Sequence, residues 1–205
     1  MTDTGSSAPP PAAEVLITQS AIQTRIGELG EKITADLSDA DDAPLLIGVL
    51  KGSAMFMADL ARAIPLQLEF DFMSISTYSQ TGPQSGVVRI LKDLDLDIAG
   101  RDVLMVEDIV DTGLTLTYLL RSLGSRKPRS LRTVTLLDKS ARRIVPVPVE
   151  YVGFEIPDVF VVGYGLDFQG RYRNVRDILA INDLPRLASD PALLVPDLFG
   201  LSRNP

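Results

Sequence analysis

The chain has 205 residues, of which 45% are hydrophobic and 23% charged, and its formal net charge is −7. These values are typical of one globular domain with a sizeable core, and the negative charge argues against general nucleic-acid binding because no basic excess can displace counterions. The sequence contains no Cys and no His. This excludes disulfides, thiol nucleophiles and imidazole bases and argues against zinc, so a bound metal would have oxygen ligands.

The two ends of the chain differ in composition from its middle. Residues 1–13 are small and Pro-rich, which predicts a disordered tail, and they have neither the basic nor the apolar region of a signal peptide. No apolar run is long enough to span a bilayer, so we expect a cytoplasmic protein that does not contact a membrane. Residues 183–205 contain four prolines and predict an extension that wraps the surface or a partner subunit. The main domain is therefore expected over residues 14–182.

Helical periodicity alternates with short apolar runs along that domain. In chain order the pattern predicts a helix over Thr18–Leu37, a strand running into a turn over Leu45–Ser53, a helix over Ala54–Ala63, strands over Leu66–Tyr78, Val87–Leu91 and Asp102–Val106, a helix over Leu114–Leu123, and strands over Leu131–Leu137, Val149–Phe154 and Val159–Val162. Strands that alternate with helices predict an α/β fold with a mainly parallel sheet flanked by helices.

The segment Leu66–Tyr78 alternates in polarity, with Phe70 on its apolar side and Asp71 on its polar side. Such alternation predicts a half-exposed strand. Together with Val87–Leu91 it predicts a hairpin, whose tip over residues 79–86 is rich in Gly, Pro and Ser.

The stretch VEDIVDTGLT, residues 106–115, follows a predicted buried strand. Because ligands bind outside the carboxyl ends of parallel strands, Glu107 and Asp108 are expected at a binding site. The next residues open a helix, whose free backbone amides bind anions, and Gly113 allows close approach of the backbone. The pattern predicts a phosphate site beside carboxylates that bind a sugar diol, directly or through a metal. A helix entry with solvated acids is the alternative on this pattern alone.

VEDIVDTGLT resembles the phosphoribosyl-pyrophosphate (PRPP) motif of type I phosphoribosyltransferases, in which two acids and two hydrophobic residues precede Asp-Thr-Gly-x-Thr. Four further stretches resemble the hypoxanthine-guanine branch of that family, namely LKGS, TYSQTGPQSGVVRILKDLD, VTLLDK and IPDVFVVGYGLDFQGRYRN. The resemblance covers Ile47 to Asn182 in the family's order. It implies the type I phosphoribosyltransferase fold with a small hood and a flexible hairpin loop. It also implies Mg²⁺-dependent transfer of phosphoribosyl from PRPP to a 6-oxopurine, hypoxanthine or guanine.

The resemblance implies which residues bind PRPP, in one group around the ribose and 5-phosphate and a second group around the pyrophosphate. In the first group, Glu107 and Asp108 bind the ribose hydroxyls, and Asp111 accepts a proton from the purine. The residues implied to wrap the 5-phosphate are Thr112, Gly113, Leu114 and Thr115. The residues implied to bind pyrophosphate are Leu50, Lys51, Gly52 and Arg173, and the Leu50–Lys51 peptide is often cis in this family. A structural turn acid is the alternative for Asp111, and a strand-end turn with a solvated lysine is the alternative for the pyrophosphate segment.

The purine base is assigned to a third group by the same resemblance. Lys139 donates to the exocyclic O6, Phe160 stacks on the ring and Val161 offers its backbone to the base edge. Asp167 lies beside the base and binds a second Mg²⁺. The alternatives are a surface Lys139 paired with Asp138 and a core Phe160.

Three carboxylates are implied as metal ligands, namely Glu107, Asp108 and Asp167. Thr77 and Tyr78 are implied to belong to the flexible loop. Many relatives have Ser-Tyr where this chain has Thr77 and Tyr78, and the hydroxyl is kept.

Three other functions stay open from the sequence. The first is a related enzyme that prefers xanthine, for which residues near Val161 and Asp167 would decide. The second is a PRPP-sensing regulator of the same fold, which the net charge disfavours. The third is a PRPP-binding subunit without activity, which the presence of Asp111 and Lys139 disfavours. The resemblance implies a homodimer or a homotetramer.

Overall fold

Two sheets organise the part of the chain that the computed structural model describes, which is residues 11–38, 42–79 and 86–200. The elements in chain order are β1 Ala13–Ile17, α1 Gln19–Leu37, β2 Leu45–Leu50, α2 Ala54–Ala63, β3 Glu69–Ser79, β4 Gly86–Lys92, β5 Asp102–Val110, α3 Leu114–Gly124, β6 Ser130–Asp138, a 3₁₀ turn Ser140–Arg142, β7 Tyr151–Glu155, β8 Phe160–Val162, β9 Ile178–Ile181, α4 Leu184–Ser189 and α5 Val195–Phe199. Among these described residues, no helix is long and apolar enough to cross a bilayer.

The larger sheet has the strand order β4-β3-β2-β5-β6-β7, and every pair in it is parallel except β3 with β4. Successive residues of its central strands face opposite sides. Leu46 and Leu104 pack against α1 and α2, whereas Ile47 and Met105 pack against α3. The sheet therefore lies between two helical layers, and the predicted α/β fold with a mainly parallel sheet is confirmed. Its central strands are apolar on both faces because both faces are buried.

The smaller sheet is an antiparallel hood with the order β1-β9-β8. Neither β1 nor β9 was predicted, because each is a short strand whose partner is distant in sequence. Ala13 pairs with Ile181, so β1 begins inside the segment predicted as a disordered tail. Pro11 and Ala12 also contact the hood, since their backbone oxygens accept hydrogen bonds from Asn182. Residues 1–10 lie outside the described part of the chain.

The C-terminal residues pack against the hood. The short helices α4 and α5 bury Leu187, Leu193 and Leu194 in a cluster with Val162 and Leu179 of the hood strands. The predicted Pro-rich extension is thus folded on its own domain through Gly200, and residues 201–205 lie outside the described part.

The predicted hairpin of β3 and β4 is present, with β3 beginning three residues later than predicted and both strands running one residue further toward the tip. The backbones of Thr77 and Tyr78 pair with Val88 and Val87 in the antiparallel ladder, so both residues lie in β3, and their part in a flexible loop stays a prediction. The remaining loop residues, 80–85, lie outside the described part of the chain.

The polarity predicted for β3 is wrong at its start. Phe70 is 50% exposed, whereas Asp71 is only 5% exposed. The Asp71 carboxylate accepts hydrogen bonds from the backbone N–H groups of Phe72 (2.7 Å), Asp95 (2.8 Å) and Leu96 (2.9 Å). Burial opposes its ionisation, but these hydrogen bonds hold its pKa below the usual value. A carboxylate can occupy a core position when backbone donors replace water.

Helices α1 and α2 make close contact at Gly30. A Cβ at this position would lie 2.5 Å from the Ala63 backbone oxygen and 2.8 Å from the Ala63 Cβ. Only glycine fits without moving one helix. Gly27, one turn earlier in α1, has open space where its Cβ would be.

We expect Gly30→Ala and Gly27→Ala to change stability in opposite directions. Alanine is favoured over glycine in a helix by about 1 kcal/mol, so Gly27→Ala should stabilise the protein by up to about that amount. Gly30→Ala should destabilise it by about 1–3 kcal/mol because the helices must separate. Urea denaturation of the two variants measures the difference. A stabilised Gly30→Ala variant would contradict the close helix contact.

Candidate active site

A cavity of about 320 Å³ opens at the carboxyl ends of β2 and β5. The predicted site residues that line it are Leu50, Lys51, Gly52, Glu107, Asp108, Asp111, Thr112, Gly113, Thr115, Asp167 and Arg173. They come from three segments that are distant in sequence, residues 50–52, 107–115 and 167–173. The parallel sheet brings these segments together because its strand ends meet at one edge.

Among the predicted residues whose side chains the structure describes, four do not line this cavity. Leu114, at the start of α3, is 47% exposed. Lys139 directly follows β6, and Phe160 and Val161 lie in β8 of the hood. The residues assigned to PRPP, Leu114 apart, thus share one cavity, and those assigned to the purine, Asp167 apart, lie after β6 or in the hood.

Glu107 and Asp108 lie within β5, which runs to Val110 and not to Val106 as predicted. Glu107 is 7% exposed, and its burial, followed by the negative charge of Asp108, raises its pKa well above the usual value. Burial also raises the pKa of Asp108, to about 6, although the backbone N–H of Ile109 and the charge of Arg173 oppose that shift. Two adjacent buried carboxylates are therefore poised to bind hydroxyl groups or a cation that restores their solvation.

The backbone of Gly52 lies directly against the Asp108 carboxylate. A Cβ on Gly52 would overlap Asp108 Oδ2, and a Cβ on Gly165 would overlap the Gly52 backbone oxygen. Gly165 also has a positive φ of +99°. These two glycines let the segment after β2 pass between β5 and the hood. The Leu50–Lys51 peptide that precedes Gly52 is cis.

The loop over residues 111–113, which the sequence predicts to bind phosphate, packs against the segment 143–147. The backbone N–H groups of Ile144 and Val145 donate to the Thr112 oxygen at 2.9 and 3.2 Å. Gly113 begins α3 with a left-handed backbone, φ +83°, and a Cβ there would lie 2.6 Å from the Val145 oxygen. Glycine is required by the backbone angle and by the space. The loop is thereby fixed with the helix N-terminus open to the cavity, which suits an anion.

Asp111 is held by two consecutive arginines that the sequence analysis did not identify. Arg142 Nε lies 3.1 Å from Asp111 Oδ1, and Arg143 Nη1 donates to the Asp111 backbone oxygen at 3.1 Å. The Arg-Arg pair three residues after Lys139 was the only sequence signal. Arg143 also binds the Asp138 carboxylate, so the alternative pairing of Lys139 with Asp138 is not the one observed.

Lys139 is 7% exposed and turns toward Asp158. Its Nζ lies 4.0 Å from Asp158 Oδ1, at the limit of an ion pair. Phe160 is 37% exposed in β8 and makes an edge-to-face contact with Phe168. Because its ring is partly exposed, it is not a core residue. Val161 is buried, and it pairs with Ala180 of β9.

Arg173 and Asp167 form the hood side of the cavity. Arg173 Nη1 donates to the Gly165 oxygen at 2.6 Å, and its Nη2 lies 2.5 Å from Asp167 Oδ1. Asp167 Oδ2 accepts from the Gly170 N–H. Within the described part of the chain, no three Asp or Glu side chains converge as one metal-binding group.

We expect Glu107→Gln to stabilise the protein at high pH. Because the folded-state pKa of Glu107 lies above the unfolded value, stability falls as pH rises from about 4 through the folded pKa, and glutamine removes this loss. The melting temperature should rise at pH 8 and change little at pH 4.5. Each kcal/mol gained in the free energy of unfolding corresponds to a rise of about 2–4 °C.

Thermal melts at both pH values measure this effect. Glu31→Gln, at an exposed position of α1, is the matched control and should leave the melting temperature unchanged at both. A Glu107→Gln variant that is less stable at pH 8 than at pH 4.5, relative to wild type, would contradict the burial argument.

The chain is similar to known proteins over most of its length. The family model described as "Phosphoribosyl transferase domain" matches residues 16–169. The hypoxanthine-guanine phosphoribosyltransferase of Mycobacterium avium is 57% identical over 165 residues, which cover 78% of this chain and 81% of that protein. The Bacillus subtilis protein of the same name is 50% identical over 162 residues, covering 79% and 89%.

The solved structures give the same result. The crystal structure of a hypoxanthine phosphoribosyltransferase from Staphylococcus aureus has a TM-score of 0.79 at 46% identity, over 83% of this chain and 91% of that one. The expected type I phosphoribosyltransferase fold is thereby confirmed. Because the family model covers most of the chain and these relatives are 50–57% identical to it, the chain belongs to the phosphoribosyltransferase family.

Proposed function

We propose that this chain is a purine-salvage enzyme that transfers phosphoribosyl from PRPP to hypoxanthine or guanine, giving IMP or GMP and pyrophosphate. The observation that carries the proposal is the cavity itself. It joins two buried carboxylates, an open helix N-terminus and the basic pair Lys51 and Arg173 around one space. These are the groups that a ribose diol, a 5-phosphate and a pyrophosphate require.

The 5-phosphate end of PRPP fits the N-terminus of α3. Free amides of the first helical turn and the hydroxyls of Thr112 and Thr115 supply donors, and the helix dipole favours negative charge there. The two ribose hydroxyls then reach Glu107 and Asp108. The distance between loop and strand is set by the turn at Gly113, which the segment 143–147 holds in place.

The pyrophosphate end fits the opposite wall. Lys51 and the planar fork of Arg173 provide positive charge next to Gly52, whose lack of a side chain leaves its backbone accessible. Asp167, 2.5 Å from Arg173 Nη2, supplies a carboxylate on the same side. We assign these residues to the leaving group.

Mg²⁺ fits this site because the available ligands are carboxylates and two of them are buried beside each other. The ligands we assign are Glu107 and Asp108 on the ribose side and Asp167 on the pyrophosphate side. When bound, Mg²⁺ would neutralise negative charge on the departing pyrophosphate.

The purine is assigned to the residues beyond Asp111. Lys139 donates to O6, Phe160 stacks through its exposed ring face, and Val161 offers its backbone. Asp111 accepts the proton of N7 as N9 attacks the anomeric carbon and pyrophosphate leaves. Asp111 lines the cavity, and Lys139 directly follows β6, the strand that pairs with β5, which supports this order from sugar to O6.

The proposal also includes the oligomeric state and the cellular location of the protein. We infer a homodimer or homotetramer in the cytoplasm, as the family resemblance implies. The main domain is assigned to residues 14–182, which include the segment matched by the family model.

A spectrophotometric assay with PRPP and Mg²⁺ tests the activity. We expect turnover of hypoxanthine and guanine, and adenine should be disfavoured by about 10⁴-fold because its amino group would face the Lys139 donor. Xanthine and uracil complete the set of bases. If xanthine is turned over faster than hypoxanthine and guanine, the chain is a xanthine-preferring enzyme. If no purine is turned over, the proposal is wrong.

Asp111→Asn tests the proton acceptor. General-base catalysis contributes about 10²- to 10⁴-fold, so kcat should fall by that factor while KM for PRPP changes little. Asp197→Asn, at an exposed position of α5, is the control and should retain full activity. An equal loss of turnover and PRPP affinity in Asp111→Asn would contradict the role as base.

A further inference from the structure

The Asp111 carboxylate has two oxygens in different surroundings. The side chain is 40% exposed, yet Oδ1 is shielded from solvent and receives no hydrogen bond from the described residues. The nearest charge to Oδ1 is Arg142 Nε, at 3.1 Å, in an ion pair that is not aligned as a hydrogen bond. Oδ2 is not shielded in this way, so it is the carboxylate oxygen that a ligand can reach.

Arg142 binds a second carboxylate at the same time. Its Nη1 donates to Asp158 Oδ1 at 3.2 Å, and Lys139 Nζ lies 4.0 Å from that same oxygen. The residues form a row of alternating charge in the order Asp111, Arg142, Asp158 and Lys139. A backbone hydrogen bond fixes the spacing of Arg142 and Lys139, since the Arg142 N–H donates to the Lys139 backbone oxygen at 2.9 Å.

We propose that Arg142 is a positioning residue that orients Asp111 with Oδ2 toward the purine and, through Asp158, aligns Asp111 with Lys139. This rests on the proposed function, in which Asp111 accepts the proton and Lys139 binds O6. A planar guanidinium can bind two carboxylates in fixed directions, whereas an ammonium cannot. The ion pair restrains the carboxylate while leaving its lone pairs free to accept a proton.

Arg143 does not share this role. It binds the Asp111 backbone oxygen and the Asp138 carboxylate, so it fixes the loop and not the carboxylate. Arg142 is 46% exposed and Asp158 is 56% exposed. Exposed ion pairs contribute little to stability, so substitution of Arg142 or Asp158 should leave the fold intact.

The test compares Arg142→Met, Arg142→Lys and Asp158→Asn with wild type in steady-state assays of hypoxanthine and PRPP. Arg142→Met keeps the apolar stem and removes both ion pairs. It should lower kcat by about 10- to 100-fold, the range that a misplaced catalytic group produces, while KM for PRPP stays within about twofold. Arg142→Lys should recover part of kcat.

Asp158→Asn leaves the ion pair of Arg142 with Asp111 and releases Lys139. It should raise KM for hypoxanthine about tenfold or more and change kcat less than Arg142→Met does. Arg126→Met is the matched control. Arg126 is 29% exposed and pairs with the Asp93 carboxylate outside the cavity, so kcat and both KM values should stay at wild-type levels.

The outcomes separate the two proposals. If wild type turns over hypoxanthine and Arg142→Met keeps its kcat, or loses only PRPP affinity, the positioning role is wrong and the proposed function stands. If wild type turns over no purine, the proposed function fails and this inference fails with it. Should Arg142→Met unfold in a thermal melt, Arg142→Lys and Asp158→Asn decide by the same criteria.

Discussion

The burial of Glu107 and Asp108 next to each other at the end of β5 is the constraint around which the site is built. β5 lies in the middle of the sheet, between β2 and β6, so its last residues are removed from water. The cost of that burial is visible in the raised pKa of both carboxyl groups. A fold selected for stability alone would place apolar side chains here. Buried carboxylates are kept where a ligand supplies the missing charge or hydrogen bonds.

The surrounding segments are shaped to leave room for these carboxylates. Gly52 packs against Asp108 and Gly165 packs against Gly52, and neither glycine tolerates a side chain. Arg173, which binds the Gly165 oxygen and Asp167, brings positive charge to the same wall. The hood is therefore attached to the main sheet at the position where the pyrophosphate would lie. Its β1 and β9 strands and the C-terminal helices form a separate small core that holds this wall in place.

The second half of the site is organised by charge and not by burial. Lys139 and Arg142 lie in the turn after β6, and they pair with Asp158, which precedes β8, and, for Arg142, with Asp111, which follows β5. The segment 143–147 joins the same turn to the loop at Thr112. The residues assigned to the phosphate and those assigned to the purine are thus parts of one connected structure. A change in the turn after β6 would be transmitted to both.

The sequence by itself determined the order of helices and strands, the parallel sheet and the residues of the carboxylate and phosphate motif. These features are local, because periodicity, a glycine turn and the spacing of acids depend on near neighbours in the chain. Only the tertiary structure decided that Asp71 is buried and Phe70 exposed, that Ala13 pairs with Ile181, and that Arg142 spans two carboxylates. Each of these depends on partners that are distant along the chain, and a polar side chain can be buried or held only when the fold brings those partners to it.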